Sequence, residues 1–211
     1  MRQTETALHD LDVAAFRAIN NGPEGLSGLM VFMSDATQYW PVRIALVVLF
    51  IALIASPRLR HPALVAAASV VLTNALCDVI KHSLGFGRPS DEVLGAIVRV
   101  LGGHGYGAVS AHSANMMAVA VVFLAVDRWW GFGWLVIALL TGISRIYCGV
   151  HYPSQVLLGW SLGAAVGIAL LWLSLALWKP GASRPGVSKD PHSPECPVAP
   201  PQSGSEPSEP L

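Results

Sequence analysis

The amino-acid sequence predicts an all-α protein, a polytopic transmembrane helix bundle of five or six spans. Of the 211 residues, 53% are hydrophobic and only 12% are charged, against about 25% charged in an average soluble domain. The apolar residues form five runs nearly free of charge: residues 42–55, 63–80, 114–126, 131–143 and 156–178. Because no polar face repeats along these runs, the pattern does not fit a soluble bundle of amphipathic helices.

Run length supports this class, since a helix needs roughly 20 residues to cross the hydrocarbon core. Residues 156–178 are long enough and residues 63–80 are close, whereas the other three runs extend into their flanks. Residues 26–33 are apolar but too short to span alone. They form either a re-entrant piece or the first part of a helix that is broken near Asp35 and Pro41, which leaves five or six spans.

Three segments are predicted along the chain. Residues 1–22 form an amphipathic interfacial segment, because apolar side chains recur at helical spacing across residues 8–19. Residues 23–179 form the membrane-embedded domain. Residues 180–211 contain nine of the 15 prolines, among Ser, Glu and Gly, and we expect this tail to be disordered because it has too little apolar surface to fold.

Charge and cysteine content exclude several classes of function. The net charge is zero and no arginine-rich tract is present, so no nucleic-acid partner is expected. Cys77, Cys148 and Cys196 lie in or near different segments, which indicates neither a disulfide framework nor a zinc site. The sequence does not predict the oligomeric state.

The basic turns give a predicted orientation. Alternating helices place Arg58, Arg60 and Arg128 on the same side as the C-terminal tail, and the positive-inside rule makes that side cytoplasmic. The outward side nevertheless carries four further cations: Lys81, Arg88, Arg99 and Arg145. This conflict with the rule disappears if some of those cations bind an anion.

Three short segments at outward helix ends carry the chemistry. They are residues 81–89 (KHSLGFGRP), 109–112 (VSAH) and 144–155 (SRIYCGVHYPSQ). Together they bring three cations, a hydroxyl group and two histidines toward one surface. A phosphoryl group in transfer carries negative charge on its oxygens, which cationic side chains and the N–H groups at a helix N-terminus stabilise. Two histidines can divide nucleophilic attack and proton donation.

These segments resemble the type 2 phosphatidic acid phosphatase (PAP2) family, whose pattern is Lys-x6-Arg-Pro, Pro-Ser-Gly-His and Ser-Arg-x5-His-x3-Asp. Residues 81–89 match the first motif fully. In the second, Ser110 and His112 match, whereas Val109 and Ala111 replace Pro and Gly. In the third, Ser144, Arg145 and His151 match at the correct spacing. The resemblance extends over residues 26–178, and the three motifs in this order are specific to the family.

The resemblance implies a function and a role for each site residue. His151 would form a phosphohistidine intermediate and His112 would protonate the leaving group, in a reaction that needs no metal or other cofactor. The phosphoryl oxygens would be held by four residues: Lys81, Arg88, Ser110 and Arg145. The substrate would be a lipid phosphate monoester or diphosphate, of the undecaprenyl diphosphate, phosphatidic acid, phosphatidylglycerophosphate or lipid A phosphate class. The expected location is a bacterial cytoplasmic membrane, among membrane lipids, with the site facing outward.

Gln155 departs from the family pattern, which has Asp at this position. A glutamine oxygen can accept a hydrogen bond from the His151 imidazole but supplies no negative charge. In a serine protease, replacing the analogous Asp by Asn costs about 10⁴ in rate. Two alternatives to hydrolysis stay open: a lipid-to-lipid phosphotransferase and, because Gln155 replaces the family Asp, a catalytically weakened protein that binds or transports lipid phosphates.

Several other residues give smaller predictions. Asp78, within a predicted span, needs a partner and is expected to pair with Lys81 or His82, with help from Asn74. Glycines at every fourth position of the last span, residues 159, 163 and 167, indicate close helix packing. Four aromatic residues are candidates for the entrance of the site: Phe86, Tyr106, Tyr147 and Tyr152.

Overall fold

The computed structural model describes residues 2–101 and 105–177, with side chains from residue 7 onward. Within these ranges the chain forms helices, turns and loops without a strand, so the all-α prediction is confirmed. The helices are α1 (Arg2–Asn20), α2 (Ser27–Asp35), α3 (Trp40–Ala55), α4 (Arg60–Leu84), α5 (Pro89–Glu92), α6 (Ala111–Leu124), α7 (Arg128–Tyr147) and α8 (Pro153–Leu177). The tail predicted to be disordered, residues 180–211, lies outside the described residues.

Local sequence signals explain where several helices begin and end. Gly85 ends α4 in the left-handed conformation (φ 60°), which glycine adopts without steric cost. Ser110 caps α6 by accepting a hydrogen bond from the Ser113 backbone N–H, and Asp127 caps α7 through the N–H groups of Trp129 and Trp130. The Gly85 and Ser110 caps fix the helix ends that carry the first two motifs, whereas Asp127 caps the end of α7 that lies away from the third motif.

Length and hydropathy identify the helices that can cross a membrane. Among the described residues, α7, α8 and the stretch Arg60–Glu92 that contains α4 are long and apolar enough. The segments Glu24–Gln38 and Trp40–Ala55 pass the same test only as a pair, and they meet at a bend of 63°. This bend between Asp35 and Pro41 fits both alternatives from the sequence, a re-entrant piece and a broken helix. The count of five or six spans stays a prediction, because α6 is apolar but has only 14 residues.

Helix α6 lies at the centre of the bundle and packs against α4, α7 and α8. The small residues of α8 allow this close approach. A Cβ on Gly159 would lie 2.6 Å from the Ser110 carbonyl oxygen, and one on Gly163 would overlap the carbonyl of Ala114. The glycines at every fourth position thus serve packing within the bundle, as predicted.

Gly163→Ala is expected to destabilise the bundle by about 1–3 kcal/mol, because the added methyl meets backbone that cannot rotate away. Gly133→Ala on α7 is a matched control, since nothing lies within 4 Å of its added Cβ. Thermal unfolding in detergent measures both. An unchanged melting temperature for Gly163→Ala would show that α6 and α8 do not touch at this point.

The two ends of the bundle carry different features. At one end, the Arg58 guanidinium pairs with the Asp127 carboxylate at 2.7 Å, so the two basic turns meet on one side. At the other end, α1 packs against α7 and α8. Its Phe16 side chain is fully buried, and Asp12 accepts hydrogen bonds from the backbone N–H and hydroxyl of Ser154. The predicted N-terminal helix is present, is longer than residues 8–19, and is docked on the protein.

Candidate active site

Backbone and amide hydrogen bonds join the three motif segments at one end of the bundle. The Ser110 N–H donates to the Gln155 carbonyl at 3.1 Å, which links the second segment to the third. The Gln155 side-chain amide donates to the Gly87 carbonyl at 2.9 Å, which links the third to the first. The predicted convergence of these segments therefore has a direct structural basis.

Gln155 orients His151 through its amide oxygen. His151 Nδ1 lies 2.9 Å from Gln155 Oε1. The amide nitrogen faces the Gly87 carbonyl, an acceptor, so the oxygen must face the imidazole and Nδ1 must carry the proton. The other ring nitrogen, Nε2, is left with a lone pair. A neutral histidine in this tautomer is suited to act as a nucleophile.

The electrostatic surroundings of His151 favour that neutral form. Burial, followed by the charges of Arg145 and Arg88, holds the pKa of His151 well below its usual value of 6.5, although the hydrogen bond to Gln155 opposes this shift. The imidazole is only 3% exposed. The lone pair on Nε2 is therefore retained at neutral pH and below it.

Arg145 is held in place by the end of α2. Its Nη1 lies 2.8 Å from the Ser34 hydroxyl and 3.3 Å from an Asp35 carboxylate oxygen. The side chain is buried, and Nε has no hydrogen-bond partner among the described residues. Ser34 and Asp35 are site residues that the sequence motifs do not predict. A lone carboxylate at Asp35 inside an apolar stretch was the available signal, because such a group requires a partner.

Arg88 and Lys81 supply the other two cations. Arg88 donates through Nε and Nη2 to the Tyr106 carbonyl, both at 3.3 Å, while its buried Nη1 has no hydrogen-bond partner within the described ranges. Lys81 lies 3.7 Å from Asp78. Gly107 lies between the segments, where a Cβ would come within 2.7 Å of Arg88 Cγ and 3.0 Å of Gln155 Nε2. A side chain at this position would therefore displace Arg88 or Gln155.

Ser110 and His112 lie at the N-terminus of α6. The buried Ser110 hydroxyl accepts from the Ser113 hydroxyl at 2.9 Å, so its own proton remains available to donate. His112 lies within electrostatic range of Arg145, Lys81 and Arg88. All seven predicted site residues therefore surround one region. The free N–H groups of the first turn of α6 add a further site for an anion.

Some residues at this end of the bundle have a structural role instead. Arg99 donates to the backbone carbonyls of Asn20 and Tyr147 at 2.9 and 2.7 Å and stacks on the Tyr147 ring, so it anchors α1 and α7. Tyr147 and Tyr152 are buried, so the prediction that they line an entrance is wrong. Phe86 and Tyr106 are exposed, which agrees with that prediction.

The predicted pairing of Asp78 is partly correct. Asp78 pairs with Lys81, and His82 instead contacts the Asp78 backbone carbonyl at 2.7 Å. The expected help from Asn74 is wrong, since Asn74 accepts a hydrogen bond from Asn115 on α6 at 2.9 Å. Within the described parts of the chain, no group of three or more His, Cys, Asp or Glu side chains is arranged to hold a metal ion.

Comparison with known proteins agrees with this geometry. Residues 62–179, more than half of the chain, match the PAP2 superfamily. The chain belongs to the PAP2 superfamily. Its similarity to other members extends over most of the described helices, and it is accordingly an integral membrane phosphatase.

Two curated PAP2 relatives have named activities. An undecaprenyl-diphosphatase of Sulfolobus acidocaldarius is 31% identical over 157 residues, which cover 72% of this chain and 73% of the relative. A decaprenylphosphoryl-5-phosphoribose phosphatase of Mycobacterium tuberculosis is 33% identical over 123 residues, or 58% of this chain and 67% of the relative. These names describe lipid phosphates of different chemistry.

Two solved PAP2-type structures share the fold. LpxE of Aquifex aeolicus superposes with a TM-score of 0.68 at 23% identity, covering 77% of this chain and 95% of that one. The PAP2-type phosphatidylglycerolphosphate phosphatase of Bacillus subtilis has a TM-score of 0.66 at 20% identity, covering 82% and 89%. At these identities the likeness concerns the fold.

Proposed function

We propose that this phosphatase hydrolyses a lipid phosphate through a covalent phosphohistidine at His151. The observation that carries the proposal is the pair of arginines beside His151. Arg145 Nε and Arg88 Nη1 are buried donors without a hydrogen-bond partner among the described residues, and the charges of both arginines act on His151. Two such donors beside a neutral nucleophile are suited to bind the oxygens of one phosphoryl group.

In the first step, His151 Nε2 forms a bond to phosphorus while the bond from phosphorus to the lipid oxygen breaks. His112 gives its proton to that leaving oxygen. Lys81, Arg88, Arg145 and Ser110 neutralise the charge on the non-bridging oxygens. The positive charge that develops on His151 is shared with Gln155 through the Nδ1–H hydrogen bond.

In the second step, water attacks phosphorus and the bond to Nε2 breaks, which releases inorganic phosphate. His112 takes the proton from the attacking water and returns to its starting state. His112 therefore acts as an acid in the first step and as a base in the second. The residues named here act through their own protons and charges, and no cofactor enters the scheme.

The test is phosphate release by the purified full chain in detergent micelles without added metal, with the His151→Ala variant as control. Substrates are phosphatidic acid, phosphatidylglycerophosphate, undecaprenyl diphosphate and a lipid A phosphate. Labelled phosphate that reappears on a second lipid would indicate phosphotransfer. Binding without turnover on all four would indicate a binding or transport protein. The retained contact between His151 and Gln155 supports hydrolysis over that last alternative.

We also infer that the site faces the outside of a bacterial cytoplasmic membrane, with the C-terminal tail in the cytoplasm. The paired basic turns around Arg58 lie at the opposite end of the bundle, which supports this orientation. A cysteine introduced at the exposed Leu94 is expected to react with a membrane-impermeant reagent in intact cells. A cysteine that replaces Arg58 is expected to react only after lysis. Both cysteines are introduced into a Cys196→Ser variant, and the reverse labelling pattern contradicts the inference.

A further inference from the structure

A large cavity adjoins the site at His112, which is the one predicted site residue in its described lining, and extends into the bundle. It has a volume of about 900 Å³ and is lined by residues of α2, α3, α4, α6 and α7, from His112 near the outer end to Trp129 and Trp130 at the other. The wall contributed by α6 runs from His112 to Phe123, eleven residues or about 16 Å along the helix axis. The part of the cavity that lies farther from His112 is lined by apolar side chains, so a hydrocarbon chain fits there.

The wall just below the site is different, because it carries an amide. Asn115 lines the cavity three residues after His112, about 4.5 Å deeper along α6. Its Nδ2 donates to Asn74 Oδ1 at 2.9 Å, while its own Oδ1 is buried and has no hydrogen-bond partner among the described residues. If both amides were rotated, the buried atom would be an N–H group, so a hydroxyl group on a ligand satisfies either arrangement.

The charges at this depth are also informative. Among the residues that the structure describes, no Lys, Arg, Asp or Glu lines the cavity. A second phosphate group directly below the reacting one would therefore meet amides and apolar side chains without a cation, and burying an unpaired charge is costly. An uncharged polar group meets no such penalty.

We propose that Asn115, supported by Asn74, recognises an uncharged, hydroxyl- or carbonyl-bearing connector between the reacting phosphate and the apolar chain. The preferred substrate class is then a monophosphate on a glycerol or sugar head of a lipid. A polyprenyl diphosphate, which places its inner phosphate at this depth, is a poorer substrate. This inference rests on the proposed function, because it requires the phosphate to bind beside His112 and His151.

The experiment compares kcat/KM of the full chain in micelles for three probes. Dioctanoyl phosphatidic acid has a glycerol connector, dodecyl phosphate has none, and farnesyl diphosphate has a phosphate in its place. Wild type is expected to favour phosphatidic acid over each of the other two by about tenfold, the effect of roughly one hydrogen bond. Asn115→Leu is expected to remove the preference over dodecyl phosphate by slowing phosphatidic acid hydrolysis alone.

Two further variants make the result specific. Asn74→Leu, which breaks the amide pair from the exposed side, is expected to act in the same direction. Ser161 is a polar residue of α8 whose hydroxyl donates to the Leu157 carbonyl, and it does not line the cavity. Ser161→Ala is therefore expected to leave the ratios of kcat/KM between the probes unchanged. Because the wild-type ratios are themselves part of the prediction, misfolding of one variant does not remove the test.

Equal efficiency of wild type on phosphatidic acid and dodecyl phosphate, or on phosphatidic acid and farnesyl diphosphate, overturns the inference while leaving the proposed function intact. An equal loss on all three probes in Asn115→Leu does the same. Absence of phosphate release from every probe, or release that is unaffected by His151→Ala, overturns the proposed function and this inference with it.

Discussion

His151→Ala is expected to lower phosphate release by at least about 10⁴-fold, because removal of a covalent nucleophile leaves only binding and electrostatic stabilisation. The imidazole is buried beside Arg88 and Arg145 and holds its proton on Nδ1. Water that enters the vacated space lacks both this orientation and the nucleophilicity of a neutral imidazole. The loss is expected in kcat, since the cations that hold the phosphate remain.

The same variant gives a direct chemical readout. Brief incubation of wild type with a labelled lipid phosphate is expected to leave label on the protein that is stable to base and lost in acid, as for a nitrogen–phosphorus bond. His151→Ala is expected to carry none. His61 lies at the end of α4 opposite to Lys81. His61→Ala is therefore a matched control and is expected to retain both label and turnover. Label that persists in His151→Ala contradicts the assignment of the nucleophile.

Gln155→Leu is expected to lower kcat by about 10²–10³-fold, less than the roughly 10⁴ seen when a serine protease triad loses its orienting carboxylate. Leucine has a similar size but cannot accept the Nδ1–H of His151 or donate to Gly87. The imidazole then loses the contact that fixes its tautomer. Turnover close to that of wild type in this variant means that tautomer control at His151 is unnecessary.

Gln155→Asp is expected to preserve or raise turnover and to change the pH profile. A carboxylate stabilises the imidazolium, so the pKa of His151 rises, and the acidic limb of kcat/KM moves to higher pH because attack requires the neutral ring. In wild type, where the pKa is lowered, that limb is expected below pH 6.5. Gln155→Glu reaches as far as glutamine but places its second oxygen against the Gly87 carbonyl, so it is expected to perform worse than Asp.

A folded Gln155→Asp protein without turnover would give Gln155 a role beyond accepting the His151 proton. The Gly87 contact is the natural candidate for such a role, since aspartate is too short to maintain both hydrogen bonds. Thermal unfolding of each variant separates this outcome from simple destabilisation. Unchanged pH dependence in an active Gln155→Asp protein would show that residue 155 does not control the charge of His151.

Predictions from sequence succeeded where the signal was local. Apolar run length, the glycine spacing of the last span and the spacing within the motifs that contain Lys81, Arg88 and His151 are each contained within a few turns of chain. Contacts between distant segments had no such signal. Arg145 meets Ser34 across 111 residues, and the Asn74–Asn115 pair spans 41. An isolated polar residue in an apolar run indicates that a polar partner exists, but the sequence does not identify that partner.

The cavity beside His112 illustrates the same limit. Its walls come from five helices, and each contributes side chains that look like ordinary lipid-facing or core residues in the sequence. Two of these helices, α2 and α3, belong to segments that meet at a 63° bend. Helix propensity and hydropathy do not encode that angle, which results from packing between segments.

The attachment of α1 has a consequence for how the enzyme is made. Asn20 bonds to the Tyr147 carbonyl, 127 residues later, and Asp12 bonds to Ser154 across 142 residues. During synthesis, α1 therefore cannot form these contacts until α7 and the beginning of α8 have been made.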